Sequence, residues 1–115
     1  MTMAEEHVFI TGASGYVGRN LLRHFVSRGH PMTGLVRGPE AAERVASWGA
    51  RPVQGDMLTA DLAPLMSGAD VLIHAAANVD HGTGSKAASV NPDGTRRVLE
   101  AARDAGVRKI IHIST

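Results

Sequence analysis

Apolar residues gather in five short, near-continuous runs, at 7–11, 32–36, 51–54, 70–74 and 109–114. Most of them lack the strict apolar–polar alternation of a half-buried strand. Continuous runs suit parallel strands covered on both faces. Between them lie segments with helical spacing. Residues 16–28 place Val17, Leu21, Leu22, Phe25 and Val26 on one stripe, with Gly29 as the C-terminal cap and Pro31 just beyond. Residues 40–48 form a weaker helix ended by Gly49, and residues 60–66 a short one followed by Gly68. The longest helix is 87–105, where Val90, Val98, Ala101, Ala102 and Ala105 share a face before Gly106. Pro92 admits two readings. It is either the first helical residue behind an Asn91 N-cap, or a residue inside a helix that starts earlier and kinks there; the earlier start is preferred.

The elements alternate as βαβαβαβαβ. Strands separated by helices of this length run parallel with right-handed crossovers. The expectation is an α/β fold with a doubly wound sheet of five parallel strands in the order 3-2-1-4-5. No repeat, low-complexity segment or linker divides the chain, so residues 1–115 are expected to form one domain.

Composition narrows the class. Aromatic residues make up only 3% of 115, so the core must be built from Ala, Val, Leu and Ile. A net charge of +1 without a basic stripe argues against a nucleic-acid partner. The absence of cysteine excludes disulfides, thiolate metal ligands and a cysteine nucleophile. Residues 1–7 lack the apolar run of a signal peptide, and stretches such as Val71-Leu72-Ile73 are far too short to span a bilayer. The simplest location is the cytoplasm, without a membrane partner.

The most informative stretch is Val8-Phe9-Ile10-Thr11-Gly12-Ala13-Ser14-Gly15-Tyr16-Val17-Gly18. Three glycines at this spacing mean little alone. Here a strand precedes them and a helix follows, as in a dinucleotide-binding Rossmann unit. Gly12 admits backbone angles closed to other residues. Gly15 carries no side chain to hold a pyrophosphate away, and Gly18 lets the helix pack closely. The helix N-terminus offers N–H groups and partial positive charge to phosphates, and Ser14 adds a hydroxyl. The alternative is a structural turn that holds nothing.

In such units the residue ending the second strand meets the adenosine ribose, about 20 residues past the glycines. A carboxylate there favours NAD. This strand ends Gly34-Leu35-Val36-Arg37, and a guanidinium suits the 2′-phosphate of NADP. NADP is therefore expected over NAD, unless Arg37 is only a solvated surface residue or stacks on adenine without selecting a cofactor.

Together these motifs resemble the extended short-chain dehydrogenase/reductase family, in its epimerase, dehydratase and steroid- or flavonol-reductase-like branches. The matches are Thr11 to Gly18, Gly55-Asp56-Met57 after strand three, His74-Ala75-Ala76-Ala77 after strand four, Val90-Asn91-Pro92-Asp93-Gly94-Thr95, Ala101 to Val107, and Ile113-Ser114-Thr115. The resemblance implies that Gly12, Ala13, Ser14, Gly15, Tyr16, Val17 and Gly18 hold the cofactor. It implies that Asp56 accepts the adenine amino group beside the backbone of Met57, and that Ala75, Ala76 and Ala77 line the site. Asp56 also reads as a turn or cap residue, and the alanines as tight packing. Asn91 would anchor backbone. Thr115 matches the family's catalytic Ser/Thr, whose hydroxyl steadies the substrate. The long helix often contributes to a dimer interface in the family.

The family also uses Tyr-x-x-x-Lys, which this sequence lacks: its one tyrosine, Tyr16, is followed by Asn20, and its lysines are Lys86 and Lys109. No pair of the histidines His7, His24, His30, His74, His81 and His112 has helix-face metal spacing with a carboxylate partner, so no metal is expected. His74 and His112 read as structural, and His81 beside Asp80 as a solvated loop residue. No local motif places a base beside Ser114 or Thr115, and Asp93 and Glu100 read as a solvated helix face. The chain is thus expected to be the N-terminal, dinucleotide-holding part of an NAD(P)-dependent oxidoreductase or epimerase, stopping before the later strands and inactive alone. The alternative is a non-catalytic NADP-binding regulatory or redox-sensing module. An open edge on strand five is expected to invite self-association.

Overall fold

The structure, a computed structural model, describes residues 6–75 and 84–113, with the backbone alone over 84–92. Among these residues strands and helices alternate: β1 (Val8–Thr11), α1 (Tyr16–Ser27), β2 (Met32–Val36), α2 (Pro39–Ser47), β3 (Arg51–Gln54), α3 (Leu62–Leu65), β4 (Val71–His74), α4 (Gly84–Ala105) and β5 (Lys109–His112). The strands form one sheet in the order β3-β2-β1-β4-β5, every neighbouring pair parallel. This is the doubly wound Rossmann order that the alternation of runs predicts.

Side chains alternate across a strand, and this divides the core in two. Val8 and Ile10 of β1 share one face with Met32, Val36, Val71 and Ile73, covered by Leu22 of α1 and Val45 of α2. Phe9, Leu35 and Leu72 share the other, covered by Leu62 of α3 and Val98, Ala101 and Ala102 of α4. The three central strands are buried at every position, which is why their apolar runs show no alternation. Each large apolar side chain removed from water in this way contributes roughly 1.5–3 kcal/mol.

The two outer strands differ from that expectation. β3 is partly exposed, and all four residues of β5 are exposed. Among the described residues each outer strand has a neighbour on one side only, and the helices cover the centre of the sheet. Ile110-Ile111 therefore reads like Leu72-Ile73 in sequence but remains open to solvent.

Helix ends shift for identifiable reasons. Val17 drops out of the expected α1 stripe at 37% exposure, and Gly18 takes the buried place beneath the preceding turn. α2 begins at Pro39, whose fixed φ suits a first helical position, with Gly38 at the N-cap. α3 is shorter than residues 60–66 because the chain before it closes a tight turn on Asp56, whose carbonyl accepts the N–H groups of Thr59 and Ala60. α4 starts at Gly84, so Pro92 lies inside the helix, as the earlier-start reading expects. Val90 belongs to the part of α4 whose side chains are not described.

Candidate functional site

The carboxyl ends of β1, β2 and β3 open onto a cleft of about 460 Å³. Its first wall is the turn that follows β1. Gly12 takes φ 69°, in the left-handed region, and its carbonyl accepts the Gly15 N–H at 3.0 Å. Gly15 then caps α1 in extended conformation without a side-chain hydrogen bond, so the first amides of the helix keep their donors for another partner.

The two later glycines are there for different reasons. A Cβ on Gly18 would stand 1.8 Å from the Gly12 carbonyl oxygen, so the protein's own packing requires glycine. A Cβ on Gly15 would meet that oxygen at 3.4 Å, an ordinary contact, and its φ of −76° is open to any residue. Among the described residues nothing requires glycine at 15. Gly15 lies on the wall of the cleft, with open space in front of its backbone.

Gly12, Ser14 and Gly15 line the cleft, and so do Arg37, Asp56 and Met57 from two other strand ends. Leu35, Val36, Gly38, Ala41, Gly55 and Leu58 complete the wall. Arg37 is exposed at the end of β2 and next to the N-cap of α2. Asp56 is half-buried, and its Oδ1 accepts the Leu58 N–H at 2.8 Å. The turn role considered for Asp56 is therefore real, and it leaves acceptor capacity on the carboxylate.

Other expected site residues lie elsewhere. The Ala13 side chain is fully buried in the core beneath β2, so only its backbone is available to a ligand. Tyr16 is 74% exposed at the start of α1, with the Arg19 guanidinium 5.6 Å from its ring centre. Ala75 follows β4, packs partly against the core and donates its N–H to Thr11 Oγ1 at 3.2 Å. Ala76, Ala77 and Thr115 lie outside the described residues, as do Asp80, His81 and Ser114.

Behind the turn lies a polar cluster. Thr11, His74 and His112 are register partners across β1, β4 and β5. His74 Nδ1 and Thr11 Oγ1 are 2.6 Å apart, and His74 Nε2 is 3.0 Å from Thr95 Oγ1 on α4. The neutral ring gives one hydrogen bond and receives one in either tautomer. Burial, and secondarily the nearby His112, lower the His74 pKa from 6.5 to about 4. His74 is thus the structural residue expected from sequence. Sequence reasoning did not foresee Thr11 and Thr95 as its partners, nor Arg97, which donates to the carbonyls of Met57 and Ala60.

Fold and cleft together define a class: a Rossmann-type domain with a cleft at the carboxyl edge of a doubly wound parallel sheet, where nucleotides bind in such folds. The chain belongs to the NAD(P)H-binding family, whose model matches residues 12–115, and it is short-chain dehydrogenase/reductase-like. It is 45% identical over 109 residues to the 4-hydroxy-2-methyl-3-oxo-4-farnesyl-3,4-dihydroquinoline-1-oxide ketoreductase of Stigmatella aurantiaca, covering 93% of this chain and 33% of that protein. It is 31% identical over 117 residues to the 3-beta-hydroxysteroid dehydrogenase of Mycolicibacterium neoaurum, covering 94% of this chain and 31% of that protein. The chain spans about a third of the length of these relatives. Among solved structures it resembles the UDP-glucose 4-epimerase of Stenotrophomonas maltophila, which carries bound NAD. The TM-score is 0.83 at 24% identity, with 96% of this chain and 37% of that one covered.

A nicotinamide dinucleotide is therefore the cofactor class, and the residues fit it. The cleft has the size of a small-molecule site, and it is lined by the glycine turn before α1, a cation and a carboxylate. Among the described residues no helix is long and apolar enough to cross a membrane, and no group of three His, Asp or Glu side chains could hold a metal ion.

Proposed function

We propose that this chain is the portion of an NAD(P)-dependent oxidoreductase or epimerase that holds the adenosine and pyrophosphate, with NADP preferred to NAD. The observation that carries this is Gly15, which neither backbone angle nor packing requires, on the wall of a cleft that ends at Arg37. The amides at the start of α1 and the Ser14 hydroxyl hold the pyrophosphate. Asp56 accepts from the adenine amino group beside the Met57 backbone. Arg37 faces the ribose, where its fork of donors matches a 2′-phosphate. Ala75 lines the path towards the nicotinamide; by motif match alone, Ala76 and Ala77 share that role, and Thr115 corresponds to the family's hydroxyl that steadies substrate.

When bound, the nicotinamide supplies or accepts a hydride; in the complete enzyme its counterpart is a carbinol or sugar carbon. The relatives named as a ketoreductase and a hydroxysteroid dehydrogenase support that class of reaction. Calorimetric titration of the chain with NADPH and NADH tests the proposal. Binding of both is expected, with NADPH about tenfold tighter, as for one added charge-assisted contact. No binding of either would overturn it, and equal affinities would remove the NADP preference.

A further inference from the structure

We propose that Arg97, on α4, is the positioning residue of the adenine-facing turn. The turn is Asp56 to Ala60, and its internal hydrogen bonds converge on one residue. The Asp56 carbonyl accepts Thr59 N–H at 3.0 Å and Ala60 N–H at 2.8 Å, and Asp56 Oδ1 accepts Leu58 N–H at 2.8 Å. These bonds shape the turn but do not orient it on the molecule. Arg97 attaches it to α4. Its Nε donates to the Met57 carbonyl at 2.7 Å and its Nη2 to the Ala60 carbonyl at 2.5 Å.

One planar guanidinium therefore holds two carbonyls three residues apart, in directions set by its fixed fork of donors. Pulling the Met57 carbonyl towards α4 sets the plane of the Met57 peptide, and with it the cleft side of Asp56 and Met57. One turn earlier on α4, Gly94 leaves room for the Met57 side chain: a Cβ there would stand 3.1 Å from Met57 Cε. Thr95, between these positions, meets His74 at the end of β4. Gly94, Thr95 and Arg97 thus register the turn after β3 against the end of β4. Arg97 does not line the cleft, so it acts through the turn and not on the ligand.

The proposal rests on Asp56 and Met57 facing the adenine, and the experiment separates the two. NADPH and its hypoxanthine analogue, in which a carbonyl replaces the adenine amino group, are titrated into the full chain and into Arg97→Lys and Arg97→Met. The wild-type chain is expected to prefer the adenine form about tenfold, as for one hydrogen bond to a charged acceptor. Arg97→Met is expected to lower that preference below about threefold while binding the hypoxanthine form nearly as the wild type does. Arg97→Lys, which reaches one carbonyl instead of two, is expected to fall between them; it preserves charge and stem and serves if the methionine variant does not fold. A preference unchanged in the folded variants overturns the proposal. So does an equal loss for both ligands, which would mark Arg97 as a support of the fold alone. A wild-type chain that does not distinguish the ligands overturns the adenine assignment of Asp56 and this proposal with it.

Discussion

Thr11 and His74 meet at 2.6 Å where β1 and β4 pair, as register partners at the carboxyl ends of their strands. Strand spacing of about 4.8 Å brings side chains of one register row into contact on the same face. The row continues to His112, whose ring centre is 5.2 Å from that of His74. The glycine turn begins one residue after Thr11, so the cluster anchors the base of the cleft.

That anchor makes stability pH-dependent. Unfolded His74 titrates near 6.5 and native His74 near 4. Between these values the unfolded chain binds more protons, so stability is full above about pH 6.5, falls as pH drops and levels out below about pH 4. The shift corresponds to a loss on the order of 3 kcal/mol. His74→Asn is expected to be less stable at pH 7 and to show a flatter slope across pH 4–6.5. Urea midpoints measured through that range decide it; an unchanged slope in the variant would assign the titration to another group.

Gly18 and Gly15 should respond differently to alanine. At 18 the new methyl group would stand 1.8 Å from backbone oxygen, which must move. Gly18→Ala is expected to cost about 2–4 kcal/mol of stability. Gly15→Ala is expected to fold with near wild-type stability and to bind NADPH at least about tenfold more weakly. A Gly15→Ala chain that binds normally would show that no ligand approaches the turn there.

Arg37 lies on the exposed lip of the cleft, so Arg37→Asp is expected to change stability by less than about 0.5 kcal/mol. Cofactor preference is expected to reverse, with NADH bound tighter than NADPH, because a carboxylate accepts from the ribose hydroxyls and repels the 2′-phosphate. Competition between the two nucleotides, measured by nicotinamide fluorescence, reports the order. If NADPH still binds tighter, Arg37 does not select the cofactor.

The outer edge of β5 should drive association. Ile110 and Ile111 are 43% and 39% exposed on β5, which among the described residues has a neighbour on one side only. An unpaired apolar edge is a template for another chain. The chain is expected to self-associate at high concentration, and Ile111→Lys to reduce this, with light scattering as the measurement. A wild-type monomer across the concentration range would contradict it.

Much of this protein is readable without coordinates, and the division has a physical basis. The apolar runs determined the number, type and parallel sense of the elements, and the order 3-2-1-4-5 followed from the Rossmann pattern that the glycine turn marks. Glycine spacing determined the turn after β1, because conformations within a few residues are set by local sterics. The open edge of β5 follows from the strand order, but the exposure of its faces does not, because Ile110-Ile111 and Leu72-Ile73 differ only in what lies beside them.

Contacts between distant residues needed the tertiary structure. Thr11 and His74 are 63 residues apart, and their meeting depends on the offset at which two parallel strands pair. Arg97 binds carbonyls 40 and 37 residues away, and a backbone carbonyl has no residue type to announce it. Residue order alone establishes that a glycine turn, an arginine and an aspartate follow three successive strands. Only the folding of the sheet brought those three strand ends to one cleft, because pairing in the order 3-2-1 aligns their carboxyl edges side by side.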